Sequence, residues 1–301
     1  MIALERVRAA SRLAAPYVLR TPVLAAPDGT ALKLDCLQPT GSFKVRGYFA
    51  AALSLEENER RRGLLTVSAG NAAAACAYVA HRLGVRCRVV MFETAPAPKL
   101  EAVRRWGAEP VLMTREQLFA WMAERGWESE PEAFIHPHTD ESVAAGHGSV
   151  GLELLQEIPA LRRVLVPVGG GGLVTGVAAA LEPAGVEVIG VQSDGYPLWP
   201  RSIEAGRQVE VSPATIADGT AAPFNPVMFE RLKACVDRWL VVPEPRLKAA
   251  IPELVSIAKV VPEGAGALAY AALEQLEPGP PTAALVTGGN VDPKLLAELL
   301  A

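Results

Sequence analysis

The chain has 301 residues, of which 50% are hydrophobic and 21% charged, and its formal net charge is −4. The composition is that of a globular protein, and the chain is long enough to form two lobes. Its acidic net charge argues against nucleic acid or an anionic membrane as a partner. No apolar run reaches the roughly 18 residues of a transmembrane helix. The four cysteines have neither zinc nor disulfide spacing, which is typical of a reducing cytoplasm.

Residues 1–16 scatter arginines among apolar residues, which predicts an amphipathic helix and not a signal peptide. The next informative segment, residues 38–47, reads Gln-Pro-Thr-Gly-Ser-Phe-Lys-Val-Arg-Gly. Pro39 and Gly41 predict a turn, and a helix is expected to begin near Ser42.

Lys44 would then lie in the first turn of that helix. There the helix dipole disfavours an ammonium, which lowers the pKa of a lysine and favours amine chemistry such as Schiff-base formation. A solvated surface lysine is the alternative, but the neighbours Phe43 and Val45 are apolar and the chain has only 7 lysines.

Residues 64–113 alternate apolar strands with helices, the pattern of a parallel α/β sheet. The predicted elements are a strand over 64–67, an alanine-rich helix over 72–83, a strand over 85–91, a helix over 98–106 and a strand over 109–113. Ser68 and Asn71 lie between the first strand and the first helix, so they can present polar groups and helix N–H groups to an anion. A simple helix N-cap is the alternative.

Three histidines follow in two suggestive contexts. His136 and His138 flank a proline, and His147 lies between two glycines. No set of acidic residues accompanies them, so we predict no metal site there.

The second half predicts strands over 163–168, 186–191 and 283–286, with helices over 173–181 and 262–276. Gly169, Gly170, Gly171 and Gly172 join the first of these strands to the helix that contains Leu173. Four glycines let consecutive N–H groups turn inward at a helix N-terminus, an arrangement that favours a phosphate dianion. The spacing fits neither a dinucleotide fingerprint nor a Walker loop, and a flexible turn is the remaining alternative.

Thr287 ends the last predicted strand and is followed by two glycines. A hydroxyl in this position can approach a flat ring closely, although a plain exit from the strand explains it as well.

The chain resembles the fold-type II pyridoxal-phosphate (PLP) enzymes, in the branch of threonine dehydratase and serine racemase. The resemblance rests on four motifs in the same order: the lysine segment, the Ser68–Asn71 loop, the glycine loop and the Thr287 turn. The resemblance implies a two-lobed α/β fold like that of the tryptophan synthase β subunit, with parallel-rich twisted sheets flanked by helices. Residues 1–62 and 139–301 would form a large cofactor-binding lobe, and residues 63–138 a small lobe carrying the substrate-carboxylate loop.

The resemblance also implies a role for each motif residue. Lys44 would hold PLP and take the substrate Cα proton, Phe43 would pack beside the ring, Asn71 would contact its 3'-oxygen, and Thr287 would face its nitrogen. The phosphate would bind Gly169, Gly170, Gly171, Gly172 and Leu173, and the substrate would bind Ser68, Ala69, Gly70, Asn71 and Gly219.

Three positions qualify this picture. Ala72 stands where the family commonly has histidine. Gln192 matches a position at which cation-binding relatives carry an acidic residue, so no divalent-metal activation is expected. Glu263 resembles a glutamate near the cofactor, although a helix N-terminal carboxylate explains it equally well.

The function implied is that of a cytoplasmic PLP-dependent lyase, forming a homodimer or homotetramer. It would act as a dehydratase (ammonia-lyase) that converts a small β-hydroxy-α-amino acid such as L-threonine or L-serine to a 2-oxo acid and ammonia. A racemase and a β-replacement synthase are alternatives on the same scaffold. Elimination is expected to exceed racemisation, because Ala69 stands where racemases carry a proton-donating serine. The intact Lys44 argues against a non-catalytic PLP carrier or degenerate homologue. A phosphosugar-binding protein would explain the glycine loop but not Lys44.

Overall fold

The computed structural model describes residues 2–301 and contains ten strands in two sheets. The strands are β1 (Val23–Ala25), β2 (Ala31–Lys33), β3 (Leu64–Val67), β4 (Cys87–Phe92), β5 (Glu109–Met113), β6 (Ala133–Phe134), β7 (Arg163–Pro167), β8 (Glu187–Ser193), β9 (Arg238–Val242) and β10 (Thr282–Leu285). The six-stranded sheet has the order β1-β2-β10-β7-β8-β9, and the four-stranded sheet has the order β5-β4-β3-β6. All neighbouring strands are parallel except β1 and β2.

Fourteen α-helices cover these sheets within the same residues. They are α1 (Leu4–Ala14), α2 (Lys44–Ser54), α3 (Glu57–Arg61), α4 (Asn71–Leu83), α5 (Ala97–Arg104), α6 (Arg115–Ala123), α7 (Glu141–His147), α8 (Ser149–Glu157), α9 (Gly172–Leu181), α10 (Leu198–Ala205), α11 (Pro226–Cys235), α12 (Glu244–Ala258), α13 (Gly264–Ala271) and α14 (Pro293–Leu300). Between residues 2 and 301, none has the length and apolar character that crossing a membrane requires.

The strands form where apolar residues run without interruption. Val164, Leu165 and Val166 of β7 are all fully buried, because helices cover both faces of a parallel sheet. The alanines of α4 favour a helix and pack closely on the smaller sheet, and the helix ends at Gly84, whose φ of 67° few other residues adopt.

The predicted mixed fold is confirmed, with shifts at element ends. The helix expected near Ser42 begins at Lys44, and the strand expected from residue 85 begins at Cys87. The helix expected over 262–276 is shorter in the structure. Glu263 is still extended because its N–H bonds Gly288 O (3.0 Å), and α13 gives way to a 3₁₀ turn at residues 273–275. The exact lobe boundaries stay a prediction, although all four strands of the smaller sheet fall within residues 64–134.

Candidate active site

Lys44 is the first residue of α2, as the sequence predicts, and the segment before it is joined to the turn after β10. Phe43 N donates to Thr287 O (3.0 Å), and Gly289 N donates to Gly41 O (2.9 Å). Gly41 has a φ of 71°, which allows the chain to turn sharply into the helix. Two predicted motifs far apart in the sequence are thereby brought together.

The amine of Lys44 has no anionic partner. Among residues 2–301, its Nζ makes neither a hydrogen bond nor an ion pair, and it lies 4.8 Å from the centre of the Phe43 ring. Desolvation lowers the pKa of Lys44 to about 8, although the nearby carboxylate of Glu263 acts in the opposite direction. A larger share of neutral, nucleophilic amine is therefore present at neutral pH than in an ordinary lysine.

A buried ionic network holds α2 in place. The guanidinium of Arg46 bonds both carboxylate oxygens of Asp35 (2.7 and 3.0 Å) and both of Glu153 (2.6 and 3.0 Å). Lys33 adds a second fully buried cation, 2.8 Å from Glu153. Removal of one partner from such a network leaves a charge uncompensated, so the network fixes the helix that carries Lys44.

The glycine loop presents free N–H groups. In the described chain, none of the N–H groups of Gly169, Gly170, Gly171 and Gly172 donates a hydrogen bond. The loop carbonyls are occupied instead, since Trp199 Nε1 donates to Gly169 O (2.6 Å) and Thr175 Oγ1 donates to Gly171 O (2.8 Å). With two of its oxygens bonded and its N–H groups free, the loop can turn its donors toward an anion at the N-terminus of α9.

Gln192 supports the same loop. Its Nε2 donates to Val168 O (2.8 Å), and its Oε1 accepts from the N–H of Trp199 (2.8 Å). The residue is fully buried. Sequence reasoning considered Gln192 only as a poor cation ligand and missed this role, because nothing in the sequence indicates what a buried amide will contact.

Close packing also restricts the residues of this loop to glycine. A Cβ atom on Gly170 would collide with the ring of His138, and one on Gly169 would lie 2.8 Å from Gly219 O. Gly171 has a φ of 89°. Substitutions in this loop should therefore disturb packing or backbone conformation as well as anion binding.

The Ser68–Asn71 loop lies at the N-terminus of α4 and has no side-chain cap. Ser68 Oγ accepts from Gly70 N (3.1 Å), and the N–H groups of Asn71 and Ala72 make no hydrogen bond within residues 2–301. An N-cap therefore does not explain these residues, and the free N–H groups can bind a carboxylate. Ala69 and Ala72 pack toward the core under the smaller sheet.

Asn71 links three parts of the fold. Its Nδ2 donates to Glu263 Oε1 (2.6 Å), and its Oδ1 accepts from Asn290 Nδ2 (2.7 Å). Asn290 also donates to Thr40 O (2.8 Å), in the turn before Lys44. One amide proton of Asn71 remains free to donate to a ligand.

Glu263 is buried, and its side chain does not cap α13. Burial raises the pKa of this carboxyl to about 7, although the bond from Asn71 acts in the opposite direction. Gly219 lies next to it, since a Cβ atom there would be 3.9 Å from Glu263 Oε1. A carboxyl that titrates near neutrality thus lies between the Asn71 loop and the loop that contains Gly219.

Thr287 completes the site. Its buried hydroxyl makes only a long bond to Ala265 O (3.3 Å), so it can turn toward a ligand. The side chain of Leu173 packs in the core, so only its backbone is available to contact a ligand. Ser42 Oγ and both ring nitrogens of His147 are buried without a partner. These polar atoms, the free glycine N–H groups and the Lys44 amine together fit a flat aldehyde that carries a phosphate, as PLP does.

No three His, Cys, Asp or Glu residues within 2–301 are grouped so that they could hold a metal ion. His136 instead has a structural role, since its Nδ1 accepts the N–H groups of His138 (3.1 Å) and Thr139 (3.2 Å).

Comparison with known proteins gives a consistent result. The family model described as pyridoxal-phosphate dependent enzyme matches residues 14–288. An L-threonine ammonia-lyase of Thermotoga maritima is 38% identical, over 100% of this chain and 78% of the relative. A catabolic L-threonine dehydratase of Staphylococcus aureus is 34% identical, over 97% of this chain and 90% of the relative.

Solved structures agree over almost the whole chain. The structure of maize serine racemase has a TM-score of 0.91 and 30% identity, covering 98% of this chain and 96% of that one. The crystal structure of a threonine deaminase from T.th. has a TM-score of 0.89 and 39% identity, covering 97% of this chain and 99% of that one.

Proposed function

The chain belongs to the family of pyridoxal-phosphate-dependent enzymes, and from that premise we propose that it is an ammonia-lyase (dehydratase) for small β-hydroxy-α-amino acids. L-threonine is the first choice and L-serine the second, and the products are a 2-oxo acid and ammonia. The relatives named ammonia-lyase or dehydratase support this choice of reaction.

The observation that carries the proposal is the desolvated, unpaired amine of Lys44. PLP, when bound, supplies an aldehyde that captures amines and a ring that withdraws electrons from Cα. Lys44 can hold the cofactor through its amine. Once the substrate amine has taken its place, the same Nζ can accept the Cα proton, because an amine with a pKa near neutrality is an effective base.

Further residues orient the substrate and the ring. The free N–H groups at the start of α4 and the hydroxyl of Ser68 are suited to the substrate carboxylate. Asn71, held by Glu263 and Asn290, can donate its remaining amide proton to the ring oxygen. Thr287, a neutral partner for the ring nitrogen, leaves that nitrogen largely unprotonated, and the weaker electron sink favours elimination over transamination.

A racemase is the second candidate, because the maize serine racemase structure matches so closely. Racemisation needs a proton donor on the face of Cα opposite Lys44. Ala69 offers only a methyl group at the place where the resemblance puts a serine in racemases, and the hydroxyl of Ser68 is assigned above to the substrate carboxylate. Because this chain supplies no proton donor on that face, loss of the β-hydroxyl should exceed return of a proton to Cα.

The test is to incubate the PLP-loaded protein with L-threonine and with L-serine, and to measure 2-oxo acid, ammonia and D-amino acid together. We expect equal amounts of 2-oxo acid and ammonia, with little D-amino acid. Comparable amounts of D-serine and pyruvate would move the racemase to first place. If no product of either kind formed, a β-replacement reaction would take precedence. An Ala69→Ser variant should shift the ratio toward the D-amino acid.

A cytoplasmic location and a homodimer or homotetramer belong to the same proposal. The four cysteines, all of which are free, support a reducing location, and the oligomeric state rests on the family resemblance alone.

A further inference from the structure

His147, at the end of α7, is fully buried, yet neither of its ring nitrogens has a hydrogen-bond partner among residues 2–301. One edge of the ring faces α2, where a Cβ atom on Gly47 would be 2.7 Å from Nδ1. The opposite edge faces the glycine loop, where a Cβ atom on Gly172 would be 3.8 Å from Cδ2. Nε2 is bonded to Cδ2 on the loop side and to Cε1 on the α2 side, so it lies between these two edges and is closer to the loop than Nδ1 is.

His138 contacts the same loop from another direction. Its Cγ and Nδ1 occupy the space that a Cβ atom on Gly170 would need. Its side chain makes no hydrogen bond within the described residues, in contrast to that of His136. Two unpaired imidazoles thus flank a loop whose own N–H groups are unpaired.

The charges around these rings keep them neutral. Burial, followed by the nearby cations of Lys44 and Arg46, lowers the pKa of His147 well below its usual value. Burial and Lys44 do the same for the pKa of His138. A neutral imidazole has one N–H donor, and a donor buried without a partner is costly unless a ligand completes it.

We propose that His138 and His147 are two further cofactor-binding residues, each donating one hydrogen bond to the phosphate held by the glycine loop. The donors are Nδ1 of His138, which lies against Gly170, and Nε2 of His147, the ring nitrogen that is bonded to the loop-facing Cδ2. This inference rests on the proposed function, because it concerns how this chain holds the phosphate of PLP. It explains why the buried ring of His147 has no partner in the protein and why the half-buried ring of His138 lies against the same loop.

The first test is NMR of protein labelled with ¹⁵N in the histidine rings. The chain has only four histidines, so all four rings can be followed in one spectrum. PLP and inorganic phosphate should each shift His138 and His147 and leave the exposed His81 unmoved, whereas pyridoxal, which lacks the phosphate, should shift them much less. If both rings stay unmoved while borohydride fixes PLP on Lys44, this inference fails and the proposed function stands. If no lysine adduct forms but phosphate still shifts both rings, the proposed function fails and the two histidines still bind phosphate.

The second test separates a donor from a merely structural ring. His138→Phe and His147→Phe remove the N–H group, and each should weaken PLP binding roughly 10- to 100-fold with pyridoxal binding unchanged. His147→Gln, which keeps a donor, should recover most of the affinity and covers the case in which the phenylalanine variant fails to fold. His81→Gln, at an exposed histidine of α4, is the control. Equal weakening of PLP and pyridoxal binding would overturn the inference.

Discussion

The glycine loop at one end of the site is held by three buried side chains, whereas the Ser68–Asn71 loop at the other end has no side-chain cap and includes an exposed residue, Gly70. The first loop is fixed before any ligand arrives, which lowers the ordering cost of binding. The second depends mainly on the bonds of Asn71 to Glu263 and Asn290. A phosphate that never changes suits the rigid end, and a substrate whose side chain varies suits the adaptable one.

Lys44→Ala should have the largest effect on activity, because both loops position ligand groups around the amine at which the reaction takes place. Loss of the base alone should reduce turnover roughly 10²- to 10⁴-fold, and loss of the cofactor bond should reduce it further. The fold should survive, since Nζ has no partner within residues 2–301. Product assays and thermal unfolding check this, with Lys248→Ala, at an exposed lysine of α12, as the control. More than a tenth of wild-type activity in Lys44→Ala would contradict the account.

Gln192→Leu should damage the rigid end specifically. It leaves Val168 O and the N–H of Trp199 unpaired, at about 1–3 kcal/mol for each group. We expect lower stability in urea unfolding and PLP affinity reduced by about tenfold or more. Gln208→Leu, at an exposed glutamine, is the control. If Gln192→Leu kept wild-type PLP affinity, the loop would not depend on this support.

The two ends should also respond oppositely to pH. His136, next to the rigid end, has its pKa lowered to about 4 by burial, so its contribution to stability is lost as the pH falls from about 6.5 to about 4. Glu263, at the adaptable end, has its pKa raised to about 7. The folded protein therefore keeps that proton longer than the unfolded chain, and stability falls as the pH rises from about 4.5 to about 7.

Glu263→Gln removes the second of these dependences. Relative to wild type, the PLP-free variant should gain up to about 3 kcal/mol between pH 4.5 and pH 7. Urea unfolding across this range measures the difference between the two proteins. A constant difference would mean that burial does not raise the pKa of Glu263 above its value in the unfolded chain.

Ser68→Ala should have the smallest effect on activity, and it should weaken only the binding of the substrate. The hydroxyl bonds only Gly70 N among the described residues, so its loss should leave PLP affinity unchanged. The KM for the amino acid should rise several-fold, consistent with about 1 kcal/mol for one hydrogen bond. An equal loss of PLP affinity would show that the two ends are not independent.

Much of this organisation could be predicted from the sequence. The alternation of strands and helices, the position of Lys44 at a helix start and the glycine loop between β7 and α9 all have local signals, because turn residues and apolar runs act over a few positions. The supports of the loop could not be predicted. Gln192 and Trp199 reach it only through tertiary packing, and a single sequence does not specify which buried donor meets which carbonyl.

The histidines and Glu263 stand out in the sequence, but their local context does not specify what their side chains contact. The spacing of His138 and His147 raises only the question of a metal site. Glu263 has the sequence context of a helix N-terminal carboxylate. In the structure its carboxylate instead accepts a hydrogen bond from Asn71, 192 positions away in the chain. Long-range contacts of this kind decide the chemistry of the site.

The measurement that tests the central claim most directly is borohydride reduction of the PLP-loaded protein, followed by peptide mapping by mass spectrometry. The account predicts a single modified lysine, Lys44, among the 7 in the chain. It further predicts that no adduct forms in Lys44→Ala under the same conditions. A stable adduct on any of the other lysines, with Lys44 unmodified, would contradict it.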